Sequence, residues 1–274
     1  MVSQRTPRYS VCITHFNCVA SLEKALGSIL GQIDDSFEVV VADSLSTDGS
    51  RAVLESLAGR GKITLVEEKC SRGRGRQLAL EAARGEYVIS GLDMDESFRP
   101  IISGLLDFYH EKCEGNLLRA KSQGTIVAPR GLVSGLGGWR DLQYAENWDL
   151  SRRAAHAGKY RWTIFLLTEG SQNPHPERRS FPKSTLFKCS TYIDCMRTGH
   201  RLFSPGQRVG LNGRFAQIVA TVASPFYTSY RGEPRGFTSN EPEYFVDSRD
   251  WWLKGSDTER ERKHYKALLG RDFP

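Results

Sequence analysis

Short apolar runs and striped amphipathic segments alternate along the first 170 residues. "YSVCIT" (9–14), "FEVVVAD" (37–43), "KITLVEE" (62–68) and "EYVISGL" (86–92) are near-continuous apolar runs rich in β-branched residues, the pattern of strands buried on both faces. Between them, "SLEKALGSILGQ" places Leu22, Ala25, Leu26, Ile29 and Leu30 at helical spacing behind Ser21 as N-cap. "GSRAVLESLAGRG" predicts a short helix closed by glycine, and "RQLALEAARG" another. Further on, "FRPIISGLLDFYHEKC" carries Ile101, Ile102, Leu105, Phe108 and Tyr109 on one helical side, followed by a strand "QGTIVAP", a helix "AENWDLSRRAAHAG" and a strand "YRWTIFLL". Strands alternating with helices predict an α/β fold, a mostly parallel sheet flanked by helices.

From about residue 170 the pattern changes. "GSQNPHPERRSFPKS" is polar and proline-rich, and two helices separated by "FSPGQRVGLNGR" and long loops are expected after it. The expected organisation is therefore an α/β domain over 1–170 and a C-terminal helical and loop accessory region over 171–274.

Composition narrows the partners. The chain has 274 residues, 39% of them hydrophobic, enough for a large core. A net charge of +6 favours an anionic partner. The six cysteines show no CxxC pair and no zinc-type spacing, so they read as free thiols in a reducing compartment. "MVSQRTPRYSVCITHF" lacks the apolar core of a signal peptide, and "FAQIVATVASPF" is too short to span a bilayer. The expectation is a cytoplasmic protein, peripheral at the inner face of the cell membrane if the tail lies on anionic lipid; a helical cap packed on the sheet is the competing reading of that tail.

In an open α/β sheet, ligands bind beyond the carboxyl ends of the strands. Those ends carry His15 and Asn17, then Asp43, then Asp93 and Asp95. Each alone reads as a turn residue. The Asp93-Met94-Asp95 spacing lets two carboxylates face one hard cation with Met94 turned away, and Mg²⁺ or Mn²⁺ completes such a shell with substrate phosphate oxygens. "SRGRGRQ" (71–77) gathers positive charge and backbone amides at a helix start, an anion site suited to a diphosphate. No aromatic platform lies beside it, which argues against nucleic acid.

Four blocks, "YSVCITHFN", "FEVVVADSLSTDGS", "GRGRQLALEAARGEYVISGLDMD" and "AENWDLSRRAAHAG", occur in the order and spacing of the family-2 glycosyltransferases, and the chain resembles that family over residues 8 to 165. The resemblance implies the GT-A fold, an inverting transfer of sugar from a nucleotide-diphosphate donor, with UDP favoured, and a glycan or lipid-linked acceptor. It also implies roles. Thr14, His15, Phe16 and Asn17 match the family's Pro-Thr-Tyr-Asn turn around the nucleobase and ribose. Asp43 matches the aspartate that bonds a uracil edge, while Ser44 and Leu45 replace the aspartate and glycine that follow. Arg76 matches an arginine near the base or diphosphate, Asp93 lies toward the ribose, and Asp95 is the direct metal ligand beside it. In the fourth block the family's Glu-Asp pair is Glu146 and Asn147 here. Asn takes no proton at neutral pH, so Glu146 is the expected general base and Asp149, one helical turn on, the reserve.

Three further readings stay open. Trp139 and Gly138, in "GLGGWRD", form either an acceptor-side loop with a flat face for a sugar or an ordinary packing element. His175 is either a third metal ligand or a loop residue. The competing functions are a nucleotide-sugar-binding regulatory module that has lost transfer activity, which Asn147 keeps alive, and a sugar nucleotidyltransferase, which would carry a glycine-rich phosphate loop where "THFNCVAS" stands.

Overall fold

The computed structural model describes residues 6–120, 124–163, 168–171, 181–198, 211–230, 242–244 and 246. Its centre is a seven-stranded sheet in the order β3-β2-β1-β4-β7-β6-β8. The predicted runs become β1 (Tyr9–His15), β2 (Phe37–Asp43), β3 (Thr64–Glu67) and β4 (Tyr87–Asp93), four parallel neighbours. Their apolar residues alternate between two cores. Val11, Ile13, Val39, Val41 and Ile89 face one side, while Cys12, Val40, Ala42 and Val88 face the other. That two-sided burial is why β1, β2 and β4 lack polar alternation, while β3 at the sheet edge is only partly buried.

Helices α1 (Val19–Leu30), α2 (Ser50–Gly59) and α3 (Arg72–Ala82) make the crossovers. Helix α1 begins before the expected cap: Ser21 sits in its first turn with its hydroxyl donating to the Cys18 carbonyl at 3.3 Å. The start is held from outside, because the Val19 amide donates to the Asp48 carboxylate at 2.8 Å. Helix α3 likewise begins earlier than expected, so "SRGRGRQ" is the cap and first turns of a helix rather than a turn before one.

Beyond β4 come β5 (Glu96–Phe98), α4 (Ile102–Lys112), β6 (Leu117–Ala120), β7 (Ile126–Pro129), α5 (Arg130–Gly135), α6 (Glu146–His156), β8 (Tyr160–Thr163) and β9 (Thr168–Ser171). β7 runs against both β4 and β6, while β6 pairs in parallel with β8, so β7 alone is reversed in the sheet. β5 pairs with β9 in a separate two-stranded sheet, and Glu96 belongs to it rather than to a helix start. The second half of "YRWTIFLL" lies outside the described residues.

The tail provides the two expected helices, α7 (Phe181–Arg197) and α8 (Leu211–Ala223), followed by a 3-10 turn at Ser224–Phe226. They are anchored to the first region. The Arg152 guanidinium donates to the Thr198 carbonyl at 2.7 Å, and Asp194 on α7 accepts from the amides of Gln143 and Tyr144 at 2.6 and 2.8 Å. Among the described residues, none of the six cysteines forms a disulfide.

Candidate functional site

The carboxyl ends of β1, β2 and β4 meet at one place because the three strands are parallel neighbours. His15 pairs in register with Asp43, and Thr14 with Asp93. The second pairing depends on a bulge. Opposite Cys12 the register shifts, and Gly91 absorbs the extra residue at φ +79°, where a Cβ would lie 2.5 Å from the Gly124 carbonyl oxygen. No other residue type fits that backbone and that approach.

A cleft of about 700 Å³ opens at these ends. Thr14, His15, Phe16, Asp93 and Asp95 stand on its walls, as the sequence predicts. Met94, between the two aspartates, is 2% exposed and belongs to the core. Among the described residues no cluster of three or more His, Cys, Asp or Glu forms a complete metal cage. Two carboxylates on one open wall still fit a hard cation that takes its remaining ligands from phosphate oxygens and water. His175 lies outside the described residues.

Other expected residues are placed differently. Asp43 is not on the cleft wall. Its two oxygens accept from the Ser46 amide at 2.8 Å and the Ser46 hydroxyl at 2.6 Å, so the carboxylate is spent on folding the loop it begins. Asn17, at φ +49°, accepts from the Thr47 amide at 2.8 Å and ties the β1 loop to the β2 loop instead of facing a ligand. Leu45, where the family has glycine, is held at φ +56° on the cleft wall. A left-handed leucine costs about 1–2 kcal/mol.

Arg76 is 2% exposed and absent from the walls. It lies between two carboxylates, Nη1 at 2.9 Å from Glu146 Oε1 and Nη2 at 3.9 Å from Asp93 Oδ1. Burial lowers its pKa, against the pull of Glu146 and Asp93. The cations on the cleft wall are Lys69 and Arg72, and Arg72 lies one turn before Arg76 on the same face of α3. Desolvation works against its charge, yet Asp93, Glu146 and Tyr144 outweigh it and raise its pKa. Its guanidinium lies 5.8 Å over the Tyr144 ring. The helical spacing of 72 and 76 was the available signal for it. Two of the amides at the start of α3 are taken up within the fold: Gly73 donates to the Leu142 carbonyl at 2.8 Å and Arg74 to the Ser71 hydroxyl at 3.2 Å.

The fourth block is buried. Glu146 opens α6, 3% exposed, with Oε2 lacking a hydrogen-bond partner. Asn147 is spent inward, accepting from Trp139 Nε1 at 3.0 Å and donating to the Gly124 carbonyl at 3.2 Å. Trp139 is therefore a core residue, 3% exposed, and not a sugar platform. Gly138 serves close packing, since a Cβ there would lie 2.0 Å from Gln77 Oε1. Asp149, 0% exposed, is ringed by Arg140, Arg152 and Arg153 and touches no cleft wall.

His15 carries a pH consequence. Its ring is 4% exposed with neither nitrogen hydrogen-bonded, and burial pushes its pKa below the ordinary 6.5, against the opposing pull of Asp43 and Asp48. The unfolded chain then takes the proton first as pH falls. Thermal stability is expected to decline as pH drops through 6.5, and His15→Asn to flatten that slope. Unfolding midpoints recorded between neutral and mildly acidic pH check this; parallel profiles for the two proteins would refute it.

Residues 10–125 match the model of Glycosyl transferase family 2. A Bacillus subtilis (strain 168) protein, TuaG, named for teichuronic acid biosynthesis, is 32% identical over 96 residues, which cover 34% of this chain and 38% of that one. The chain spans about a third of the length of the curated relatives it matches. Among solved structures, the mannosyltransferase PcManGT from Pyrobaculum calidifontis, in complex with GDP-Man and Mn²⁺, superposes with a TM-score of 0.54 at 19% identity, covering 80% of this chain and 74% of its own. S. aureus TarS superposes with a TM-score of 0.51 at 16% identity, covering 81% and 44%. These likenesses establish the shared GT-A fold.

Proposed function

We propose, from the match of residues 10–125 to the model of Glycosyl transferase family 2, that the chain transfers a sugar, with inversion, from a nucleotide-diphosphate donor to a hydroxyl of a glycan or lipid-linked acceptor. The observation that carries this is the cleft at the ends of β1, β2 and β4, with Asp93, Asp95 and Arg72 together on its walls. Asp93 and Asp95 would hold Mn²⁺ or Mg²⁺, which offsets charge on the leaving diphosphate when bound. Arg72, rather than Arg76, supplies the protein's own positive charge to the diphosphate.

Phe16, 58% exposed at the rim, offers a flat face to the nucleobase, with His15 beside it on the cleft wall. Thr14 and the backbone of Ser44 and Leu45 frame the rest of the nucleoside. A uridine donor is the first to test. Its preference no longer rests on Asp43, which is occupied by Ser46.

Glu146 takes the acceptor's hydroxyl proton as the new bond forms between the acceptor oxygen and the anomeric carbon. The bond from that carbon to the diphosphate oxygen breaks, and the electron pair leaves with the diphosphate. Arg76 holds the Glu146 carboxylate in place. The burial of Glu146 and the inward commitment of Asn147 favour one competing reading, a module that binds nucleotide sugar without transfer.

A thermal-shift panel of nucleotide sugars with and without Mn²⁺ tests the core of this reading. One donor is expected to raise the melting temperature by several degrees only when metal is present. No shift with any donor would sink both readings, and a shift without transfer or slow donor hydrolysis would select the binding module.

A further inference from the structure

Helix α8 presents an apolar face to solvent. Phe215, Ile218 and Val222 recur at helical spacing and are 58%, 62% and 66% exposed. The turn that follows adds Phe226, 87% exposed, and Tyr227, while α7 adds Leu186. Single exposed apolar residues are ordinary, but six large ones on one helical hairpin mark a surface that meets something other than water.

The polar residues around them indicate what it meets. Among the described residues of α7, α8 and the segment to Tyr230, the exposed charges are Lys188 and Arg214, both basic. The single carboxylate, Asp194, is 3% exposed and paired with Arg197 at 3.3 Å. An apolar stripe flanked by cations, without an exposed acid, is complementary to an anionic lipid surface. At 13 residues, α8 is roughly 20 Å long, too short to cross a bilayer core of about 30 Å and suited to lying in its interface. Tyr227, at the end of the stripe, has the amphipathic ring that interfaces favour.

We propose that the α7–α8 hairpin docks this protein on anionic membrane, with Phe215, Ile218, Val222 and Phe226 entering the headgroup boundary.

The hairpin is also tied to the cleft. Arg197 donates from Nε to the Thr228 carbonyl at 2.9 Å, stacks 5.6 Å from the Tyr227 ring, and pairs with Asp194. Asp194 in turn holds the amides of Gln143 and Tyr144. Gln143 lines the cleft and Tyr144 lies beneath Arg72. The helices that carry the docking face are thus joined to the loop that leads into Glu146. A lipid-linked acceptor would be presented there, and this last link alone rests on the proposed transferase reading.

Flotation of the full chain with phosphatidylcholine vesicles, with and without phosphatidylglycerol, provides the test. Binding is expected to the anionic vesicles, to weaken at high salt, and to drop at least about tenfold in the double variant Ile218→Asp/Phe226→Asp. Both positions are exposed, so the variant should keep the wild-type melting temperature, which circular dichroism checks. Absence of binding at low salt overturns the proposal, as does equal binding by wild type and variant. A wild-type dimer that the double variant converts to monomer, without any lipid binding, would assign the face to a second copy instead. None of these readouts needs a donor, so failure of the transferase reading leaves the flotation result standing.

Discussion

Asp149→Asn is expected to cost about 3–5 kcal/mol of folding stability, the range for removing one partner of a buried ion pair. The carboxylate is fully enclosed, and three guanidiniums converge on it. Oδ1 receives Arg140 at 3.0 Å and lies 3.6 Å from Arg152, while Oδ2 receives both Nε and Nη2 of Arg153 at 3.0 and 2.8 Å. Arg153 also donates to the carbonyls of Leu136 and Gly138, and Arg152 to that of Thr198. This one charge therefore compensates a cluster that fastens the 136–140 loop, α6 and the end of α7 to one another. Asparagine keeps the shape but withdraws the charge that Asp149 supplies to the three arginines. A domain of ordinary stability has about 5–15 kcal/mol in total, so the loss would be visible in soluble yield as well as in urea unfolding. The measurement also decides a chemical question. If Asp149→Asn unfolds within about 1 kcal/mol of wild type, well short of the buried-pair range, yet loses turnover, Asp149 is the base and its structural role is wrong.

The same residue shows what the sequence could and could not convey. Helical spacing placed Asp149 on a face with its neighbours, but spacing reports nothing about which side of a helix the rest of the chain covers. β1, β2 and β4 were legible because burial on both faces leaves a nearly unbroken apolar run, and the half-buried edge strand β3 because Ile63, Leu65 and Val66 stand between polar ends. The reversal of β7 was not, since "TIVAP" buries the same residues in either direction. β5, β6 and β9 have only three or four residues each, too few for a period to emerge. At the site, topology did most of the prediction: parallel neighbours must bring their carboxyl ends together, so Thr14, His15, Phe16, Asp93 and Asp95 reach one cleft. What failed were assignments that depended on side-chain partners. Ser46, three residues on, captured Asp43. Asn147 captured the Trp139 indole. Arg76 is buried against Glu146, and Arg72 and Lys69 stand on the cleft wall instead. A motif fixes which residue types stand where, and the competition for each polar atom is settled only by the folded neighbours.

Glu146→Gln is expected to lower turnover by about 10²–10⁴ while leaving the metal-dependent donor shift in place, because a general base is worth that much and the cleft walls are untouched. The amide keeps the size of the carboxylate and removes its charge. Glu146 is also the nearest counter-charge to a fully buried arginine, with Asp93 farther away at 3.9 Å, so the variant could lose activity through a displaced Arg76. Adding Arg76→Met separates the two causes. With the guanidinium gone, the introduced glutamine no longer leaves a buried cation unpaired, and the double variant should recover most of whatever stability the single variant lost. If Glu146 only neutralises Arg76, turnover returns with stability. If it takes the acceptor proton, stability returns and turnover does not, since no group in the double variant accepts a proton at that position. The unpartnered Oε2 favours the second outcome: one oxygen is held by Arg76, and the other is enclosed without a hydrogen-bond partner among the described residues, which an acceptor hydroxyl reaching it would supply. Near-wild-type turnover in the single variant would remove Glu146 from the chemistry altogether and, with Asp149 locked among arginines, would leave α6 without a base.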